Sequence, residues 1–221
     1  MAAARPLLPD MPLVRKSAAP EPDARADMPD MAGDLRARLH SGDAQVRRDA
    51  ARRLAGEPGA GALLLARLGV ESDSNVRAAL FAGLVDIGGE DMAAAVAARL
   101  GSRDPGMRAG AIEALQRLRA RAVPVVDALL GAQDADLRVL AVEVTRAWPP
   151  ELAAARLRRV IEHEPHVNVC AAAVDVAAES GTPDLLEPLA RLRRRFENEA
   201  FLAFAVEVAR ARIGVEAPCP P

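Results

Sequence analysis

The sequence predicts an all-α protein of about six stacked helix pairs, on three observations. The chain has 221 residues, 51% of them hydrophobic, but only 2% are aromatic and none is Tyr. Much of the apolar share is Ala, the strongest helix former, whereas strands favour β-branched and aromatic side chains. A short pattern then returns at steps of 30, 31 and 30 residues: Asp43, Val46 and Arg47; Asp73, Val76 and Arg77; Asp104, Met107 and Arg108; Asp134, Leu137 and Arg138. Finally, Ala50, Leu80, Ala111 and Ala141 follow the apolar residue of each copy by four positions, and Leu54, Leu84, Leu115 and Thr145 by eight. Offsets of four and eight lie on one helical face.

Each Asp stands where a helix N-cap belongs, because a carboxylate there accepts the orphan backbone N–H groups of the first turn. A second helix precedes each cap. Leu39, Leu68 and Leu100 close these first helices, and Gly69 and Gly101 follow two of them as C-terminal glycines do. The pairs fall near 31–40 with 43–56, 60–69 with 73–87, 90–100 with 104–119, and 120–130 with 134–147. Two further pairs, 149–163 with 165–180 and 182–195 with 198–213, rest on a weaker match. The stretch from Ala141 to Val144 recurs from Ala173 to Val176 and from Ala205 to Val208, both steps being 32 residues. In this register the cap becomes His166 and then Asn198, and the repeated Arg becomes Cys170 and then Leu202. A two-residue slip in the fifth pair would make Glu164 the cap instead.

These stretches of Asp, apolar residue and Arg resemble the HEAT repeat family, in the short form of about 30 residues found in phycobilisome-lyase-like proteins. The resemblance spans residues 31–213. It implies a right-handed α–α superhelix, a solenoid in which the second helix of each pair lines the concave side. Stacking suits the physics, since one helix pair cannot cover its own apolar face whereas neighbours bury a continuous core.

Residues 1–30 hold Pro6, Pro9, Pro12, Pro20, Pro22 and Pro29 and read as a disordered tail. Within it, Leu7 to Val14 forms a candidate docking motif. Residues 214–221 read as a flexible tail. Neither a signal peptide nor a membrane span is predicted, and cytoplasmic location is the default expectation. Charge is balanced, with 29 basic against 31 acidic residues and a net of −2, which points to neither nucleic acid nor membrane as partner. Lys16 is the one lysine, a bias expected of a GC-rich bacterial genome. Cys170 and Cys219 set no disulfide framework.

No catalytic set emerges, and no cofactor is expected. His163, Glu164 and His166 are the densest ligand-type cluster. HEAT enzymes resembling deoxyhypusine hydroxylase hold iron with His-Glu dipeptides spread over several repeats, but this chain has a single such dipeptide. A metal site generally takes three or more protein ligands. Cys170 falls among small apolar residues and reads as core. No motif for a bilin site is present, and Gly88 with Gly89 reads as a loop. The acidic residues Glu113, Glu143, Asp175 and Glu207 oppose the phosphate-binding groove of DNA-glycosylase-like HEAT proteins.

The expected function is therefore a protein–protein scaffold, the alternative being an accessory subunit of a lyase- or hydroxylase-like modifying enzyme. Three groups carry specific expectations. The residues Asp43, Arg47, Asp73, Arg77, Asp104, Arg108, Asp134 and Arg138 should form a structural ladder of charge-assisted bonds between repeats. The row Glu113, Glu143, Asp175 and Glu207 would receive a basic peptide or protein surface. The last helix, apolar nearly all round at Phe201, Leu202 and Phe204, would dock a partner or a second copy of the chain.

Overall fold

The computed structural model describes residues 31–216. The 1–30 tail with its Leu7–Val14 motif, and Cys219 in the C-terminal tail, lie outside the described residues. Those residues are all-helical, with no strand among them. The first helices of the pairs are α1 (Met31–Arg38), α3 (Ala60–Leu68), α5 (Glu90–Ala97), α7 (Val123–Leu129), α9 (Pro150–His163) and α11 (Leu186–Arg195). The second helices are α2 (Ala44–Leu54), α4 (Ser74–Ile87), α6 (Pro105–Leu118), α8 (Ala135–Thr145), α10 (Val167–Ser180) and α12 (Ala200–Glu216). Short 3₁₀ turns lead into α7 and α11. Helix α12 continues to Glu216, three residues past the predicted boundary at 213. No described helix is long and apolar enough to cross a membrane.

The four aspartates begin their helices as expected. Asp43, Asp73, Asp104 and Asp134 have extended backbones, and each accepts from an amide two residues on. Asp73 and Asp104 accept from a second amide as well. His166 holds the cap position of α10 without a side-chain bond, and the Glu164 carboxylate accepts from the His166 amide. Both residues named for this cap thus take part.

Packing runs between near neighbours in chain order. Each even-numbered helix from α2 to α10 packs on the next even-numbered one, and α3, α5, α7, α9 and α11 each pack on the helix that follows. The residues seven and eleven positions after each cap supply the shared core: Ala50 and Leu54, Leu80 and Leu84, Ala111 and Leu115, Ala141 and Thr145, Ala173 and Ala177 are all buried. Small residues let the helices approach. A side chain at Gly110 of α6 would overlap the Phe81 ring of α4. Trp148 is buried, its indole N–H directed at the Leu115 carbonyl 3.4 Å away, and the Arg156 guanidinium lies 5.8 Å from its ring centre.

The sixth pair departs from the predicted register by one residue. Helix α12 starts at Ala200, and the Ala203 amide bonds the Glu199 carbonyl, so Glu199 rather than Asn198 stands at the cap. The buried face is Leu202, Val206, Ala209 and Ile213. Leu202 therefore occupies the core position of Val76 and Val169, and Ala203 the ladder position. The shift also takes Glu207 out of line: nine residues after the cap, where Glu113, Glu143 and Asp175 stand, α12 carries Val208.

Candidate functional site

The repeated arginines each bind the loop ahead of their own helix, and three of the four also bind the next unit. Arg47 donates to the Ser41 and Gly42 carbonyls at 2.9 and 3.0 Å and clasps the Glu71 carboxylate bidentately at 2.9 and 3.0 Å. Arg138 repeats the arrangement, donating to the Ala132 and Gln133 carbonyls and clasping Glu164 with two bonds of 2.9 Å. Arg77 donates to the Ser72 carbonyl and pairs with Asp104, the cap of the next unit. Arg108 donates to the Ser102 carbonyl at 2.8 Å and has no carboxylate partner among the described residues. The predicted ladder of Arg to cap Asp is thus corrected: only Arg77 reaches a cap. The other two acids lie two residues before the cap, where the side chain can bond the loop amides as well.

Glu71 is enclosed, and burial alone would raise its pKa. The bonds from Arg47, from the Asp73 amide and from Arg67 outweigh burial and hold the carboxyl at about 2. Glu164 is lowered too: burial opposes ionisation, but Arg138 and the His166 amide prevail. At Cys170, which replaces the ladder Arg in the fifth pair, another arginine fills in. Arg195, at the end of α11, donates to the Glu164 carbonyl at 2.8 Å and to that of Glu162, and its guanidinium lies 3.6 Å from the Cys170 sulfur. Cys170 lies in the core, and burial pushes its thiol pKa up despite Arg195.

The acidic row is largely claimed by arginines of the same chain. Arg146, just past the end of α8, pairs with Glu143, Asp175 and Glu179 together, while Glu207 pairs with Arg193 and Arg210. Glu113 alone of the four has no ion pair among the described residues. It borders a groove of about 240 Å³ between α4 and α6, whose wall includes Phe81 and Gly110. The row is therefore not the uniform negative stripe expected from spacing. Arg146 signals this in the sequence, since it stands three residues after Glu143 and within reach of the next helix.

The apolar end divides cleanly. Leu202 is fully buried and unavailable for docking, whereas Phe201 and Phe204 are 51% and 73% exposed. They stand two and five residues after the cap. Earlier even-numbered helices carry Gln45 and Arg48, Asn75 and Ala78, Gly106 and Ala109, Asp136 and Val139, or Asn168 and Ala171 at those places. Only α12 puts a large ring at either position. His40, His163 and His166 are exposed, and among the described residues no three His, Cys, Asp or Glu side chains are grouped so as to hold a metal ion.

A wider groove, of about 600 Å³, opens where α6 meets α8, beside Arg108. Leu137, half-buried in its wall, is more exposed than its counterparts Val76 and Val169, both fully buried. No family model matches the chain, and no curated protein matches it. Among solved structures, the chain is similar to three crystal structures of engineered proteins from the Northeast Structural Genomics Consortium. The first is 18% identical, covering 82% of this chain and 96% of that one with a TM-score of 0.41. The second is 18% identical, covering 85% and 100% at 0.40, and the third 19% identical, covering 83% and 58% at 0.40.

Proposed function

We propose that this chain is a non-catalytic binding scaffold of the cytoplasm, a right-handed solenoid of HEAT-type helix pairs that holds another protein in an assembly or regulatory role. The repeat of cap, apolar residue and arginine at steps of 30 and 31 residues supports the solenoid reading, as does the packing of even-numbered helices in chain order. The observation that carries the binding role is the pair Phe201 and Phe204. Among the described residues, Val70 and Ile87 are the only other large apolar side chains that stand exposed, and neither is aromatic. Two adjacent exposed aromatics, one helical turn apart, form an anchor of the kind that dominates protein–protein interfaces.

The acidic row plays a smaller part in this reading, because Arg146, Arg193 and Arg210 already neutralise most of it. Glu113, beside the α4–α6 groove and without an ion pair among the described residues, is the member of the row left for a basic partner. The test is a Phe201→Asp, Phe204→Asp double variant against the unaltered chain in affinity purification from the source cells. Loss of a specific partner with the helical circular dichroism unchanged supports the reading. A partner retained by the variant overturns it.

A further inference from the structure

The junction between the third and fourth pairs lacks a carboxylate that the molecule supplies at equivalent junctions. At four places the side chain two residues before a helix cap bonds the loop. Ser41 and Ser102 accept from the amides of Asp43 and Asp104. Glu71 accepts from the amides of Ser72 and Asp73, and Glu164 from that of His166. The two glutamates also receive the arginine of the preceding pair, Arg47 and Arg138 respectively. Before Asp134 the corresponding residue is Ala132, which has nothing to offer. The Asp134 amide and the Nε and Nη2 donors of Arg108 are left without partners among the described residues.

The place is open rather than collapsed. Arg108 and Asp134 both line the groove of about 600 Å³. Its apolar wall is Leu100, Leu137, Val139 and Leu140, and Arg103 adds a second cation. Asp134 and Asp136 also face the groove; the counterpart of Asp134, Asp73, stands just as near in sequence to Glu71 without preventing that carboxylate from binding Arg47 and Arg67, whereas Asp136 replaces the neutral Asn75 and is balanced here by Arg103. We propose that this groove receives a glutamate side chain of a partner protein, flanked by aliphatic residues. Its carboxylate takes the bidentate position on Arg108 that Glu71 takes on Arg47, and accepts from the Asp134 amide. The aliphatic neighbours cover Leu137 and Leu140. The groove is separate from the Phe201–Phe204 edge; the inference rests on the scaffold reading only in assigning the carboxylate to a protein partner.

The test needs no physiological partner. An N-acetylated, C-amidated Leu-Glu-Leu peptide, its Leu-Gln-Leu counterpart and free glutarate are titrated into the isotopically labelled chain and followed by nuclear magnetic resonance. The Leu-Glu-Leu peptide should shift the Arg108 Nε–H and the Asp134 amide saturably. Leu-Gln-Leu should bind roughly tenfold or more weakly, since it loses charge-assisted bonds. Arg108→Gln should abolish the shift. Ala132→Glu should abolish it as well while raising the melting temperature, because the chain then supplies its own carboxylate. Absence of a saturable shift overturns the proposal, as does an undiminished shift in Ala132→Glu or a lowered melting temperature for that variant. Glutarate binding as tightly as Leu-Glu-Leu overturns the assignment to a protein partner. An intact titration together with failure of the Phe201–Phe204 test overturns the edge-docking reading and leaves the groove standing.

Discussion

At the scale of single residues, Glu71 concentrates the most interactions in the least space. One carboxylate with a fully enclosed side chain joins Arg47 of α2, Arg67 of α3 and the loop that leads into α4. Replacing it by Ala leaves two guanidinium groups facing an enclosed space, and breaking such a pair costs roughly 3 kcal/mol or more. Chemical denaturation of Glu71→Ala checks this. The pH dependence has a definite sign. The Glu71 carboxyl titrates at about 2 in the folded chain and at about 4.3 when unfolded, so between these values the unfolded state binds more protons. Stability from this group is present above the unfolded value and is lost as pH falls towards 2. Denaturation midpoints should therefore drop between about pH 5 and pH 2, with Glu164 adding to the slope. Glu71→Gln should flatten that slope, and an unchanged slope would mean the clasp is not formed in solution.

At the scale of the element, α12 offers the sharpest test of register. Leu202→Ala removes a fully buried side chain and should cost about 2–5 kcal/mol, whereas Phe201→Ala trims a half-exposed ring and should cost much less. Equal losses would contradict the one-residue shift. The same comparison in α6, Leu115→Ala against Glu113→Ala, should give about 2–5 kcal/mol against roughly 0.5 or less. These elements also separate what the sequence discloses from what it conceals. A cap aspartate bonds an amide two residues away, so Asp43, Asp73, Asp104 and Asp134 were readable from local chemistry alone. Helix α12 begins with no such residue, so its phase had to be borrowed from the weaker alternation of Ala205 to Val208 and came out one residue early. That error put Leu202 at the ladder position instead of the core position and Glu207 in a row to which it does not belong. The acids on Arg47 and Arg138 were hidden for another reason. They lie 24 and 26 residues along the chain, and only the packing of one pair on the next selects Glu71 and Glu164 over the nearby caps. Arg195, standing in for the missing arginine at Cys170, is 25 residues away and was invisible in the same way.

At the scale of the whole molecule, circular dichroism should show a strongly helical spectrum with no sheet contribution from residues 31–216. The functional claim is that the exposed face of α12 is an anchor for another protein. Site-specific photocrosslinking addresses it most directly, with a photoreactive phenylalanine analogue placed at position 204 of the full chain in the cells that make it. Position 62, on α3 and likewise exposed, serves as the control. The account predicts a discrete adduct with one other protein from position 204 and none of that mass from position 62. An adduct of twice the chain's own mass would replace the partner with a second copy. No adduct from position 204, or the same adducts from both positions, would contradict the claim.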